Sequence, residues 1–414
     1  MMLVEFSVEN YLSFKDKVTF SMVASDDTIH DDANVATLPN GKRLLKSAVI
    51  YGANASGKSN LLKAMSFMGE FVYFAHSKRP KDPIDVISFK LDPLCADKPS
   101  RFDIIFYNDG VKYAYGFAAT RKTVIEEYLH IFHDDQDESN NIFTRTLIDG
   151  RYVYDADEKF IEIRQFDTTN QLYMPTAALL NGEKFTGIYT FFAYLYIYTS
   201  DPLPSISQRE YFGTGGENAL LNWNKAVEWV KEIDVRISNI QAPQNIIDRE
   251  DFEKLQDRIN STQKVINHDG TQSEVSFSFF KEESSGTQAF FAIALAVIEK
   301  MQQGEIFIAD EINKSLHPLL ASHIVSLFHD VKDNFMNSQL IFTTHDTNLL
   351  DLDLFRRDQI WFAKKDHKTG VSDIYSLCEF EANKDSSDEF VDIKKSYLLG
   401  IYGAIPFIGG GHDE

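Results

Sequence analysis

Apolar residues recur along this chain with two different periods, and the changes between them mark its elements. "LVEFSVENY" (3–11) and "KVTFSMVA" (17–24) alternate with period two, as half-buried strands do. "SAVIYG" (47–52) is a short apolar strand running into a Gly-rich loop, and "SNLLKAMSFMGEFVYFA" (59–75) follows with helical spacing. From Arg101 to about Arg164 alternation returns. "RFDIIFY", "VKYAYGFAA" and "VIEEYLHIF" predict antiparallel strands, with Asn108-Asp109-Gly110 as a hairpin turn. The acidic "HDDQDESNN" (133–141) predicts a solvated loop.

Residues 165–268 read mostly as helix, including "FTGIYTFFAYLYIYT" (185–199), "ENALLNWNKAVEWVKEI" (217–233) and "REDFEKLQDRINSTQKVI" (249–266). "EVSFSFF" (274–280) returns to strand, and a helix is expected from Gln288 to Gln302. "EIFIADE" (305–311) and "SQLIFTTHD" (338–346) are buried strands on either side of a helix from Pro318 to Val331. "QIWFAKK" (359–365) and "VSDIYSL" (371–377) form a hairpin. Strands and helices alternating at both ends of a helical middle predict one α/β domain with an insertion. The expected division is 1–164, an inserted segment 165–268 serving as lid or dimerisation element, and 269–414.

Composition narrows the partners. A net charge of -21 gives no global attraction for nucleic acid, so any contact with DNA would need a local patch or a partner. Two cysteines, Cys95 and Cys378, cannot build a disulfide framework or a cysteine-rich zinc site, and a reducing cytoplasmic setting is expected. The N-terminus lacks a basic segment followed by an apolar core, so no signal peptide is expected. The most apolar run, 185–199, is too short to span a bilayer, so no membrane association is expected.

Four short stretches carry chemistry. Gly52-Ala53-Asn54-Ala55-Ser56-Gly57-Lys58-Ser59, followed by Asn60, fits G-x-x-x-x-G-K-[ST] between a strand and a helix, the setting a P-loop requires. Backbone N–H groups of such a loop wrap phosphates, Lys58 neutralises the terminal ones, and Ser59 ligates Mg²⁺. "IFIADE" brings Asp310 and Glu311 to the carboxyl end of a buried strand, where open α/β sheets bind ligands. Asp310 is expected in the Mg²⁺ shell and Glu311 as the base for attacking water. His345 ends another buried strand, from which it can face the γ-phosphate. ATP and Mg²⁺ are therefore the expected ligands.

The fourth stretch, Ser284-Ser285-Gly286-Thr287, suits a helix cap, and a helix N-terminus is also an anion site. With the P-loop, the Asp-Glu strand, "SLHP" and the strand ending in histidine, it resembles the ABC-type ATPase heads. That resemblance implies an ABC-type P-loop fold with a mixed sheet and an antiparallel β subdomain. It also implies that Ser284, Ser285 and Gly286 hold the γ-phosphate of a nucleotide on a second copy, hence a homodimer or higher homo-oligomer.

"GANASGKSN" and "VENYLSF" look like the soluble SMC and RecF type. "ESSGT", "DEINKSLHPLL", "FTTHDTNLLD", "LFRRDQIWFAKK" and "YLLGIYGAIPFIGG" are similar to the ABC-type AAA ATPases of bacterial phage defence and abortive infection. RloA, AbiL and the ATPase half of OLD-like nucleases belong there. Asn313 stands where those relatives usually have a second acid, His317 stands where many ABC proteins have aspartate, and no Q-loop glutamine is evident. Little chain follows His345, so a fused Toprim nuclease is not expected, and the D-x-D of "DLDLFRRD" (351–358) reads as a solvated turn. The resemblance implies an antiphage ATPase controlling a separate effector, a Toprim-type nuclease, by ATP-dependent dimerisation. A DNA-maintenance ATPase and a slow-turnover, toxin-sequestering scaffold stand as alternatives.

Overall fold

The computed structural model describes residues 1–75, 79, 81–132, 139–156, 169–181, 185–193, 195, 197–199, 217–241, 258–314, 316–380 and 393–405. An antiparallel sheet begins with β1 (Met2–Glu9) and β2 (Val18–Ser21). A small hairpin, β3 (Val35–Thr37) and β4 (Arg43–Leu45), precedes β5 (Ser47–Gly52), the P-loop strand. Next come β6 (Ser100–Asn108), β7 (Val111–Ala119), β8 (Val124–Phe132), β9 (Ser139–Ile148) and β10 (Arg151–Ala156). These five extend the first sheet in the order β10-β9-β8-β7-β6-β1-β2. The predicted turn is present: Asp109 and Gly110 both have left-handed backbone, at φ 49 and 79, as a two-residue hairpin loop requires.

The second sheet contains β5, β11 (Ile197–Thr199), β15 (Ile306–Asp310), β16 (Gln339–Thr343), β17 (Ile360–Lys365) and β18 (Ser372–Ser376), in the order β11-β15-β16-β5-β17-β18. Its pairings are parallel except β17 with β18. Period-two alternation feeds two separate cores. Ala48, Ile50, Ile306, Ile308 and Ile341 face the core that contains the P-loop helix. Val49, Tyr51, Phe307, Ala309 and Phe342 face the opposite one. Burial on both faces explains why these strands read as continuous apolar runs.

The P-loop helix (Lys58–Tyr73) lies between the two sheets. Phe67 packs on Phe102 at 5.0 Å, and Phe71 meets Phe117 edge-on at 5.4 Å. On its other flank lies the helix Thr186–Ala193. Gly69 permits that approach, since a β-carbon there would stand 2.6 Å from the Leu195 carbonyl oxygen and 2.9 Å from that of Phe192. The opposite core holds the helices Glu217–Ile233, Ser285–Gln303 and Pro318–His329.

Two expectations for 165–268 are corrected. The apolar run 185–199 is not one helix. After Thr186–Ala193 it turns into β11, where Ile197 pairs with Ile308 and Thr199 with Asp310 at an edge of the nucleotide-binding sheet. Its last residues are aromatic and β-branched, and pairing with β15 decides their state. The stretch 249–266 also ends in strand. Residues 249–257 lie outside the described residues, but Asn260–Ile266 is β13, central in a three-stranded antiparallel sheet. Its neighbours are β12 (Ile237–Ile240) and β14 (Gln272–Ser278). Burial of Ile259 and Ser261, two apart, follows the strand period. Of the loop 133–141, residues 133–138 lie outside the described residues, and Ser139–Asn141 already belong to β9. No helix of the described residues is long and apolar enough to cross a membrane.

Candidate nucleotide site

Parallel pairing brings three strand ends to one edge. Thr343 of β16 pairs with Ile50 of β5, and Ala309 of β15 with Phe342, so Gly52, Asp310 and His345 emerge side by side. This carboxyl edge is where open α/β sheets take ligands.

Between β5 and its helix the loop departs from ordinary backbone. Gly52 has φ 155, Ala55 φ 61 and Gly57 φ 118. A β-carbon on Gly52 would collide with the Ala363 carbonyl, and one on Gly57 would stand 2.8 Å from the Ser372 side chain. The helix that follows has no side-chain cap and no acid in its first turn. Its leading N–H groups are therefore available to an anion. Lys58 is buried and donates to the Gly52 and Ala53 carbonyls at 2.7 and 2.9 Å. Desolvation pushes its ammonium down to about 8, against the opposing pull of Asp310 and Glu311. A triphosphate would supply the counter-charge that an ammonium stripped of water needs.

Asp310 accepts from the Ser59 hydroxyl at 3.0 Å and from the Thr343 hydroxyl at 2.6 Å. Thr343 in turn accepts from the Glu311 backbone N–H at 2.8 Å. That hydroxyl therefore spans the two strand ends and fixes the turn in which Glu311 adopts left-handed backbone, φ 52. The His345 Nε2 stands 3.6 Å from Glu311 Oε1, with both side chains partly exposed to the cleft. Burial, then the Lys58 ammonium, lowers the His345 pKa below its usual 6.5, leaving the ring neutral at pH 7. One face of the cleft is thus carboxylate and imidazole, the other Lys58 and backbone.

The cleft, of about 480 Å³, is lined by residues 54–60, Glu311, His345 and Lys365. Three neighbours were not foreseen. Thr343 had a signal, the hydroxyl pair just before His345. Ser13 accepts from the Asn60 amide at 2.7 Å, and Lys365 ends β17; only the fold brings these two to the P-loop. Ser59 and Asp310 offer hard oxygen donors, the ligand type that suits Mg²⁺.

Ser284, Ser285 and Gly286 do not line this cleft. They open the helix Ser285–Gln303, where the Ser284 hydroxyl caps the Thr287 N–H at 3.1 Å. Ser284 and Ser285 are exposed. The loop is held from behind by Glu283, which accepts from the Ser261 hydroxyl and, at 2.9 and 3.0 Å, from the Gln263 amide of β13. Asn313 accepts from the Thr344 hydroxyl at 2.8 Å, and His317 caps the helix Pro318–His329. In 351–358, Asp351 closes its own turn onto the Asp353 N–H, while Asp358 is buried against Arg356 and Ser25. No cluster of metal-ligating side chains occurs among the described residues.

A family model described as "AAA domain, putative AbiEii toxin, Type IV TA system" matches residues 47–170 and 213–351. The match covers more than half of the chain and spans the P-loop, Ser284–Gly286, Asp310-Glu311 and His345; the chain belongs to this family. Similar solved structures include the SMC head domain from Thermotoga maritima, at 14% identity, 91% of this chain, 99% of that one and TM-score 0.42. Another is the Smc head domain with an extended coiled coil bound to the C-terminal domain of ScpA from Pyrococcus furiosus, at 12%, 97%, 100% and 0.37. No curated protein matches. The chain is a P-loop ATPase of this AAA-domain family.

Proposed function

We propose that this ATPase hydrolyses ATP at a site completed by a second copy of itself, and that closure of the two copies switches a separate effector in an antiphage or abortive-infection system. Lys58 and the loop 52–59 hold the β- and γ-phosphates. Ser59 and Asp310 hold Mg²⁺, which supplies charge neutralisation when bound. Glu311 takes the proton of the attacking water, and the neutral His345 ring, next to that carboxylate, orients the γ-phosphate and the water. Ser284, Ser285 and Gly286 reach the γ-phosphate of the partner copy.

The observation that carries this reading is the separation of two phosphate-binding features. The P-loop cleft is open and assembled, while the exposed N-terminus at Ser284–Gly286 lies outside it on a buttressed loop. In the proposed dimer each copy would contribute one of these two features to a composite site. The family description names a toxin–antitoxin system, which supports a second chain as partner, and a Toprim-type nuclease is the proposed class of that partner.

Glu311→Gln tests the reading. It is expected to bind ATP and hydrolyse it about 10²–10⁴-fold more slowly. It should also gather as an ATP-dependent dimer when molar mass is followed by light scattering. Hydrolysis at the wild-type rate, or a mass unmoved by ATP, would contradict the proposal.

A further inference from the structure

Lys365 stands where three surface grooves meet. It is the last residue of β17, beside the P-loop strand, with Ala363 paired to Gly52. Trp361 and Ala363 face the core that holds the P-loop helix, and strand alternation puts Lys365 on that same side. Its stem lies against Gly370, and no hydrogen bond or ion pair engages its ammonium among the described residues. A cation left free beside a phosphate cleft is available to pair with an anionic ligand.

The grooves define that ligand. The first is the P-loop cleft. The second is a trough of about 320 Å³ whose apolar wall is Leu12, Ile87, Phe89 and Leu91, entered past Ser13 and Asn60. The third, about 650 Å³, lies between residues 91–93 and the turn 366–371. Lys365 lines all three, and Asn60 joins the first two. The surface therefore runs from Glu311 and His345, past Lys58 and Ser59, to Asn60 and Lys365, and on into the apolar trough. Along that surface a triphosphate whose terminal phosphate faced Glu311 would run towards Asn60 and Lys365, with its base towards the trough.

Two orphaned hydroxyls flank the same junction. Ser372 is opposite Lys365 in the β17–β18 ladder and abuts Gly57, while Ser56 lies within the loop. Both oxygens are buried without a partner. Buried polar atoms are nearly always satisfied, and Ser56, which lines the P-loop cleft, points to a group that the chain alone does not provide, whereas Ser372 lines none of the three grooves.

We propose that Lys365 is a nucleotide-binding residue, pairing with the α-phosphate where the nucleoside leaves the P-loop for the trough of Leu12, Ile87 and Leu91. This rests on the cleft being the ATP site. It assigns the hairpin β17–β18, outside the matched family segments, a direct part in binding.

Lys365→Met is expected to raise Kd and KM for ATP about tenfold or more, with kcat within about twofold, because a charge-assisted contact shared by ground and transition states is lost. The free protein should keep its Tm while most of the ATP-induced rise disappears, and Lys365→Arg should restore that rise. Wild-type KM with a full ATP-induced rise in Lys365→Met overturns the proposal. So does a fall in free-protein Tm that Lys365→Arg leaves unrepaired. Lys58→Ala, measured alongside, separates the premises: if it binds ATP as the wild type does, the P-loop reading itself has failed.

Discussion

Lys58 makes the site dependent on pH in a direction that can be worked out. Its free-protein pKa of about 8 lies below the ordinary 10.5, chiefly through desolvation. Between these values the unfolded chain holds a proton that the free folded protein has lost, so this group makes the fold gain stability as pH rises through the window. Nucleotide binding runs the opposite way. Below about 8 the ammonium is already charged, and above it a triphosphate must recruit the proton, so ATP affinity falls by up to tenfold per pH unit. Calorimetric titration of ATP at about pH 7 and about pH 9.5 should show weaker binding and proton uptake at the higher pH. Equal affinities would mean that the amine does not meet the phosphates. At this scale, residues inside a continuous motif were legible, because the strand–loop–helix order itself dictates where Gly52, Lys58 and Ser59 stand. Ser13, Thr343 and Lys365 were not, or only faintly, because strand pairing alone carries them to the same edge.

Among elements, the P-loop helix transmits the geometry of the site, since it is packed between two sheets and the Thr186–Ala193 helix. Gly69 is the tight point, where a methyl group would meet two backbone carbonyls that cannot swing away. Gly69→Ala should destabilise the fold by about 1–3 kcal/mol through overpacking, read as a lower urea midpoint at unchanged slope. A stability equal to wild type would show that the two helices are not held this closely. Both-face burial made β5, β15 and β16 easy to read as apolar runs. Asn260–Ile266 was hard to read, because a polar strand with little burial has no periodic apolar signal and depends on pairing with β14. The helix-and-strand composition of 185–199 was lost for a related reason: aromatic residues suit either state until a neighbouring strand selects one.

For the whole molecule, the proposed composite site needs two copies. The strong negative charge opposes their approach at low ionic strength, and in the proposed dimer nucleotide offsets this through the shared phosphate. The most direct measurement mixes two inactive variants. Gly286→Asp puts a carboxylate where the partner's γ-phosphate must arrive, yet leaves its own P-loop intact. Lys58→Ala damages the P-loop and leaves Ser284–Gly286 intact. Each should be nearly inactive alone. Mixed dimers then contain one doubly damaged site and one intact composite site, so ATPase activity should return on mixing, in proportion to the mixed dimer formed. Full activity of Gly286→Asp by itself, or no recovery when light scattering shows the mixed dimers present, would contradict a site shared between copies.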